Sequence, residues 1–285
     1  FKSYRLHQLA SGACTVCLGL TTIATPVTAA PVGGSVTAGS GQISQSGTNT
    51  QIQQNSERLV IEWQGFDPLS GESVTFNQPD ANAWALNRVL SGQATSFDGS
   101  LFANGNVIIT NGSGIHFGPN AHVDVNSLIA SVPGITDSNF MAGNMVFDQI
   151  GTSDAMVTNA GTITAKQGGL AALVAPGVEN SGLIRADLGT VVLGGGEAFA
   201  LDFYGDKLIQ FAVTEPTKSK PKRADGRDAE AVGSNSGTVQ AAGGTVVLAA
   251  KHAGPARATP IHHSGGARPT SVCMQNALPH SDARS

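Results

Sequence analysis

Charge and aromatic rings are both scarce in this 285-residue chain: Asp, Glu, Lys and Arg make up 13%, and Phe, Trp and Tyr only 5%. So little charge excludes the composition of a highly charged disordered chain. A net charge of −4 gives no general attraction to nucleic acid or anionic lipid, and so few aromatics supply no surface for stacking bases. Nucleic acid is therefore not an expected partner. Cysteine is rarer still, with three residues in all. Cys14 and Cys17 form a C-x-x-C spacing shared by redox and zinc sites, yet they sit in an apolar run from Leu9 to Ile23 with no second ligand pair nearby. Past that run only Cys273 remains, so the rest of the chain can form no intrachain disulfide.

Catalytic patterns are missing as well. No G-x-S-x-G occurs, and the glycine-rich strings lack the Lys-Ser/Thr ending of a phosphate loop. Glu57, Glu62, Asp67 and Glu72 lie in the first third, and Asp98, Asp124, Asp137 and Asp148 are widely spaced. A polysaccharide lyase or hydrolase needs clustered carboxylates, a metal or a placed base. Asp124 alternates with Val123 and Val125, and His116 lies between Ile115 and Phe117, so both read as solvent-facing strand positions. His252, His262, His263, Cys273 and His280 are ligand types that follow no metal spacing. We assign no catalytic residue, metal or cofactor.

Glycine is what the chain has in quantity, 36 residues. From Leu101 to Ser131, β-preferring Ile108, Val123, Val125, Leu128 and Ile129 alternate with turn-forming Asn111, Gly112 and Gly114. Further on, Val157–Ala165 recurs as Val178–Ala186 and again at Asn235–Ala241. Each copy is followed by a glycine and an apolar strand: Gly169–Leu173, Gly189–Leu193 and Gly244–Leu248. A repeat of about 21 residues suits one coil of a parallel β-helix, in which inward Ile, Val and Leu stack on neighbouring coils. Asn159, Asn180 and Asn235 recur at the corners, where a ladder of turn-forming asparagines is expected.

The ends and one interior segment break the pattern. Lys2 and Arg5, the apolar run and the small residues Thr28, Ala29 and Ala30 read as an export signal over 1–30. Phe1 stands where an initiator Met would, as in a piece of a longer reading frame. An insertion at about 197–231 holds Phe199–Phe203 and Leu208–Val213, an expected hairpin about Tyr204–Lys207. Its polar end carries Lys218, Lys220, Lys222, Arg223 and Arg227, diluted by Glu215, Asp225, Asp228 and Glu230, so a solvated loop is expected rather than a polyanion site. After Lys251, Pro255, Pro260, Pro269 and Pro279 predict a disordered tail over 251–285.

The central stretch resembles the N-terminal secretion domain of filamentous haemagglutinins and related two-partner-secreted exoproteins. That family has an Asn-Pro-Asn-Gly tetrad, then Ile-x-Phe-Gly, then Val-x-Val-x-x-Leu-Ile-Ala-Ser/Thr. Ile115–Gly118 and Val123–Ser131 match, and the tetrad reads Asn111-Gly112-Ser113-Gly114, its outer positions retained. Val36–Ile43, Ile52–Ser56, Ile61–Phe66, Val74–Pro79, Leu86–Val89 and Asn139–Gly143 occur in the family's order. The resemblance implies an all-β fold, a right-handed parallel β-helix (solenoid) over 31–250 with an N-terminal cap and extra-helical hairpins. It also implies a secretion and folding-nucleation domain of an adhesin-like exoprotein, exported via the periplasm and secreted or held at the cell surface. The partner implied is an outer-membrane β-barrel transporter, with a host-surface receptor or glycan as a further partner. Candidate transporter-recognition segments are Leu86, Asn87, Arg88 and Val89, and Asn111, Gly112, Ser113, Gly114 and Ile115. The rival reading is a β-helical carbohydrate-active enzyme or carbohydrate-binding module.

Overall fold

The computed structural model describes residues 31–203, 209–223 and 225–253, and the backbone alone of 259–263 and 266–277. The export signal of 1–30, the hairpin tip at Tyr204–Lys207 and His280 lie outside the described residues.

The chain climbs in coils of three short strands. One coil reads Ile115–Phe117, His122–Val125 and Ser127–Ser131; later ones read Met156–Asn159, Thr162–Ala165 and Leu170–Ala175, then Gly177–Asn180, Leu183–Arg185 and Thr190–Gly195. Equivalent strands pair in parallel from coil to coil, so the coils present three sheet faces, here called first, second and third in the order the chain visits them. The second and third faces merge in the 14-residue strand Thr238–Lys251, which turns the corner between them without a break. The fold is thus a parallel β-helix, and the sequence repeats stack in register: Ile163 on Ile184 on Val239, and Leu173 on Leu193 on Leu248. At the N-terminal end Gly41–Ser46 and Ser35–Ala38 pair antiparallel to the second and third faces, which caps the open edge that parallel coils would otherwise leave.

Two cores explain the near-continuous apolar runs of the third face. Leu59, Ala85, Val107, Leu128, Ala171 and Val191 stack inside the helix. Their neighbours Val60, Leu86, Ile108, Ile129, Ala172 and Val192 point outward and are buried just as fully. Strands covered on both faces lose the polar alternation of a half-exposed sheet. The cover comes from two insertions placed at the same point of the coil, after the third face.

The first insertion holds the short helix Asp137–Ala142 and the strand Met145–Phe147; the second holds Ala198–Phe203 and Ile209–Glu215. Thr136 caps the helix by accepting from the Asn139 N–H, and Gly143 ends it in the left-handed region at φ 84°. The insertions join antiparallel, Phe147 opposite Phe199, and these two rings stack at 4.3 Å and 9°. The expected extra-helical hairpin therefore supplies two strands of a three-stranded sheet whose third strand lies some fifty residues upstream.

Strands continue past residue 250. Thr259–His263 pairs in parallel with Ala231–Asn235, and Gly266–Ala277 with Thr238–Lys251, adding another coil. Pro269 falls at the register break between Ala241 and Thr245, the corner, and Pro260 lies on a strand at the end of its sheet. Both are places where a missing backbone donor costs a sheet least.

Candidate functional site

The two candidate recognition segments come together in space. Trp84–Val89 and Asn106–Asn111 are neighbouring parallel strands of the third face, with Arg88 opposite Thr110 and Val89 opposite Asn111. Both line a groove of about 450 Å³ whose other wall is the first insertion, including Ile135, Asp137, Gln149 and Ile150.

Folding consumes most of their side chains. Leu86 is in the outer core, and Val89 and Ile115 are in the inner one. Asn87 points inward and is fully buried; its Oδ1 accepts from the Trp63 indole at 3.0 Å and its Nδ2 donates to the Ile108 carbonyl at 3.2 Å. Asn111 closes the corner: its Nδ2 donates to the Gln93 carbonyl at 2.8 Å and the Thr95 hydroxyl at 3.0 Å, while its Oδ1 accepts from the Ser113 N–H at 2.9 Å. Gly114 comes next at φ 119°, where a β-carbon would press on the Met156 carbonyl. Gly112 and Ser113 remain half-buried.

Arg88 alone of its segment reaches outward with polar work to do. It donates to Glu62 at 3.0 Å, to Asp137 at 2.6 Å and to the Ile135 carbonyl at 2.9 Å, tying two coils to the start of the insertion helix. Beside it the Thr110 side chain, 3% exposed, has a hydroxyl with no partner among the described residues. Leu90 and Ile150, 58% and 54% exposed, form apolar lips. Sequence reasoning does not single out Leu90, Thr110 or Ile150. Their only sequence signal is apolar or β-branched character next to a turn, and most residues of this chain share it.

The asparagine corner is continuous. Asn159 Nδ2 donates to Asn180 Oδ1 at 2.8 Å and Asn180 Nδ2 to Asn235 Oδ1 at 2.6 Å, all three side chains being buried. The same column starts as a run of rings, Phe97 and Phe117 with centroids 5.5 Å apart, which sequence reasoning missed.

Chemistry-bearing residues are kept apart. Asp124 lies on the second face and His116 on the first, so they cannot act on one atom. His116 Nδ1 meets the Thr158 hydroxyl at 2.9 Å, and burial pushes its imidazole below the usual histidine range. Among the described residues no three His, Cys, Asp or Glu gather as a metal site. His252 is half-buried there, with no partner for its Nδ1, and Cys273, His262 and His263 contribute backbone to the last coil. Every basic residue of the 214–230 loop is ion-paired: Lys218 with Glu197, Lys220 and Lys222 with Asp228, Arg223 with Glu179, and Arg227 with Asp225. The loop offers no free cationic surface.

The family described as TPS secretion domain matches residues 27–278. The chain belongs to this two-partner secretion domain family. The family is one of secretion domains of adhesin-like proteins, and not an enzyme family. The HMW1 secretion domain of Haemophilus influenzae, a solved structure, superposes with a TM-score of 0.68 at 27% identity, over 85% of this chain and 59% of that one. The filamentous haemagglutinin secretion domain gives a TM-score of 0.45 at 15% identity, over 87% of this chain and 97% of that one. A curated relative, the heme/hemopexin-binding protein of Haemophilus influenzae, is 38% identical over 101 residues, 35% of this chain and 11% of that protein. The match to this chain spans 11% of the length of that curated relative and 59% of the HMW1 secretion domain structure.

Proposed function

We propose that this TPS domain is recognised in the periplasm, unfolded or partly folded, by the soluble domains of a cognate outer-membrane β-barrel transporter. It is then threaded outward and folds at the cell surface, where each coil templates the next. One observation carries this reading: Leu86, Asn87, Val89, Asn111 and Ile115 are each at most 5% exposed once folded. Side chains so placed are legible to a partner before the coils close and are withdrawn as they close. An extended chain can also add to a sheet edge through its main chain, which needs no exposed side chain and suits a segment made of strands. Parallel coils fold slowly because each pairing closes a loop first, so an unfolded chain lasts long enough to be met. After folding, Gly266–Ala277 pairs with Thr238–Lys251 alone among the described strands, leaving an edge for a further coil.

The test is a binding comparison with the transporter's purified soluble domains. Chain freshly diluted from denaturant is expected to bind, with binding lost as the native signal returns. Equal binding by the fully folded domain would contradict the reading.

A further inference from the structure

The second face carries a feature that lies outside the candidate recognition segments. Its outward side chains form two columns across successive coils: Ser73, Ser100, His122 and Thr162 in one, Thr75, Phe102, Asp124 and Thr164 in the other. Seven of these eight positions are polar, as a solvated sheet face requires. Phe102 is the exception. Its ring is 38% exposed and, among the described rings, touches only the edge of His122, with centroids 5.9 Å apart. An exposed ring contributes little burial to folding, and a threonine would continue the column equally well.

The ring borders a depression of about 280 Å³, also lined by Thr75, Asn77, Asp124 and Lys166. That is below the size that encloses a drug-sized ligand and fits a single ring-sized unit. The Asp124 carboxylate and the Thr75 and Asn77 side chains have no hydrogen-bond or ion-pair partner among the described residues, and Lys166 Nζ makes one long bond, 3.4 Å, to the Ala103 carbonyl. The site therefore sets one apolar ring face beside unspent acceptors and donors. Its two charges are opposite and cancel.

We infer that this depression is a subsite for a neutral hexopyranose unit. A sugar ring has an apolar face of C–H groups, weakly positive, that packs on the negative face of an aromatic ring. Its hydroxyls are donors and acceptors at once, matching a carboxylate, an amide, a hydroxyl and an ammonium around the rim. Charge cancellation favours a neutral sugar over a sulfated or carboxylated one. The site is open, so it holds one residue of a longer glycan and takes a free monosaccharide weakly. Asp124 acts here as a hydrogen-bond acceptor, and no bond of the sugar is broken.

The test is saturation-transfer NMR on the folded domain with the methyl pyranosides of glucose, galactose and mannose, and with a sulfated heparin disaccharide as the charged control. Transfer to the ring C–H protons of at least one neutral sugar is expected, with binding about fivefold weaker in Phe102→Ala. Asp124→Asn, which keeps the shape and removes the charge, should also weaken it. Phe102 is exposed, so the variant keeps its fold, which circular dichroism confirms. No transfer to any neutral sugar, transfer unchanged in Phe102→Ala, or transfer to the sulfated disaccharide alone would each overturn the assignment.

Discussion

Arg88 and Asp137 stand 49 residues apart in sequence and meet at 2.6 Å, the guanidinium also holding Glu62 and the carbonyl that precedes the insertion helix. This cluster fixes the first insertion on the outer core. It also places Arg88, a candidate recognition residue, in a role it can fill only after folding.

Removing that anchor should cost stability without dissolving the coils. Arg88→Met is expected to lower the unfolding free energy by about 1–2 kcal/mol, since the pair is partly solvated but includes a charge-assisted bond to a backbone carbonyl. A double-mutant cycle with Asp137→Asn should return a coupling of about 0.5–1 kcal/mol. Hydrogen exchange checks the location: protection should fall first in residues 132–151.

The asparagine ladder makes a prediction about side-chain bonding. Asn180 uses both ends of its amide in the ladder, while Asn159 donates to Asn180 and accepts from the buried Gly161 N–H, so Asn180→Ala and Asn159→Ala should each cost about 1–3 kcal/mol. Denaturant unfolding of the two variants measures both losses. Losses near zero would mean that the corner is held by backbone geometry and not by the side-chain chain.

His116 gives a pH dependence whose sign is set by burial. Its folded pKa lies below the ordinary histidine value of 6.5, so on acidification the unfolded chain takes up a proton first and folding loses ground. The contribution is fully present above the unfolded pKa and declines as pH falls from there towards the folded pKa. Thermal melts at neutral and mildly acid pH should show this slope, and His116→Gln should flatten it.

The corner at Asn111–Gly114 allows a restoration. Gly112 has no positive φ, and a β-carbon there meets nothing closer than Gly151 Cα at 3.5 Å, which leaves room for a side chain at this position. Gly112→Pro should raise stability by about 0.4–1 kcal/mol by restricting the unfolded chain. A chemical-denaturation midpoint that falls instead would show that the corner needs glycine's freedom.

The coils were legible in the sequence because their information is local: Asn and Gly at corners, and Ile, Val and Leu at alternating positions, repeat at a fixed spacing. Asn159, Asn180 and Asn235 could be aligned by eye, and the structure sets them in one column. What could not be read is long-range. Nothing near Phe147 points to Phe199, and nothing near Arg88 points to Asp137, because each pair forms only after intervening coils stack. The last coil was obscured for a different reason. Its prolines resemble those of a disordered segment, and only the register with Thr238–Lys251 shows that one of them sits on a corner. The groove shares this limit, since its two walls are assembled from segments some fifty residues apart.

The most direct test of the account is secretion itself. The chain, expressed with residues 1–30 in place, is followed into the medium with and without the cognate β-barrel transporter. Release that depends on the transporter, and that falls in an Asn111→Ala and Arg88→Ala double variant, is the predicted result. Equal release in the absence of any transporter would contradict it.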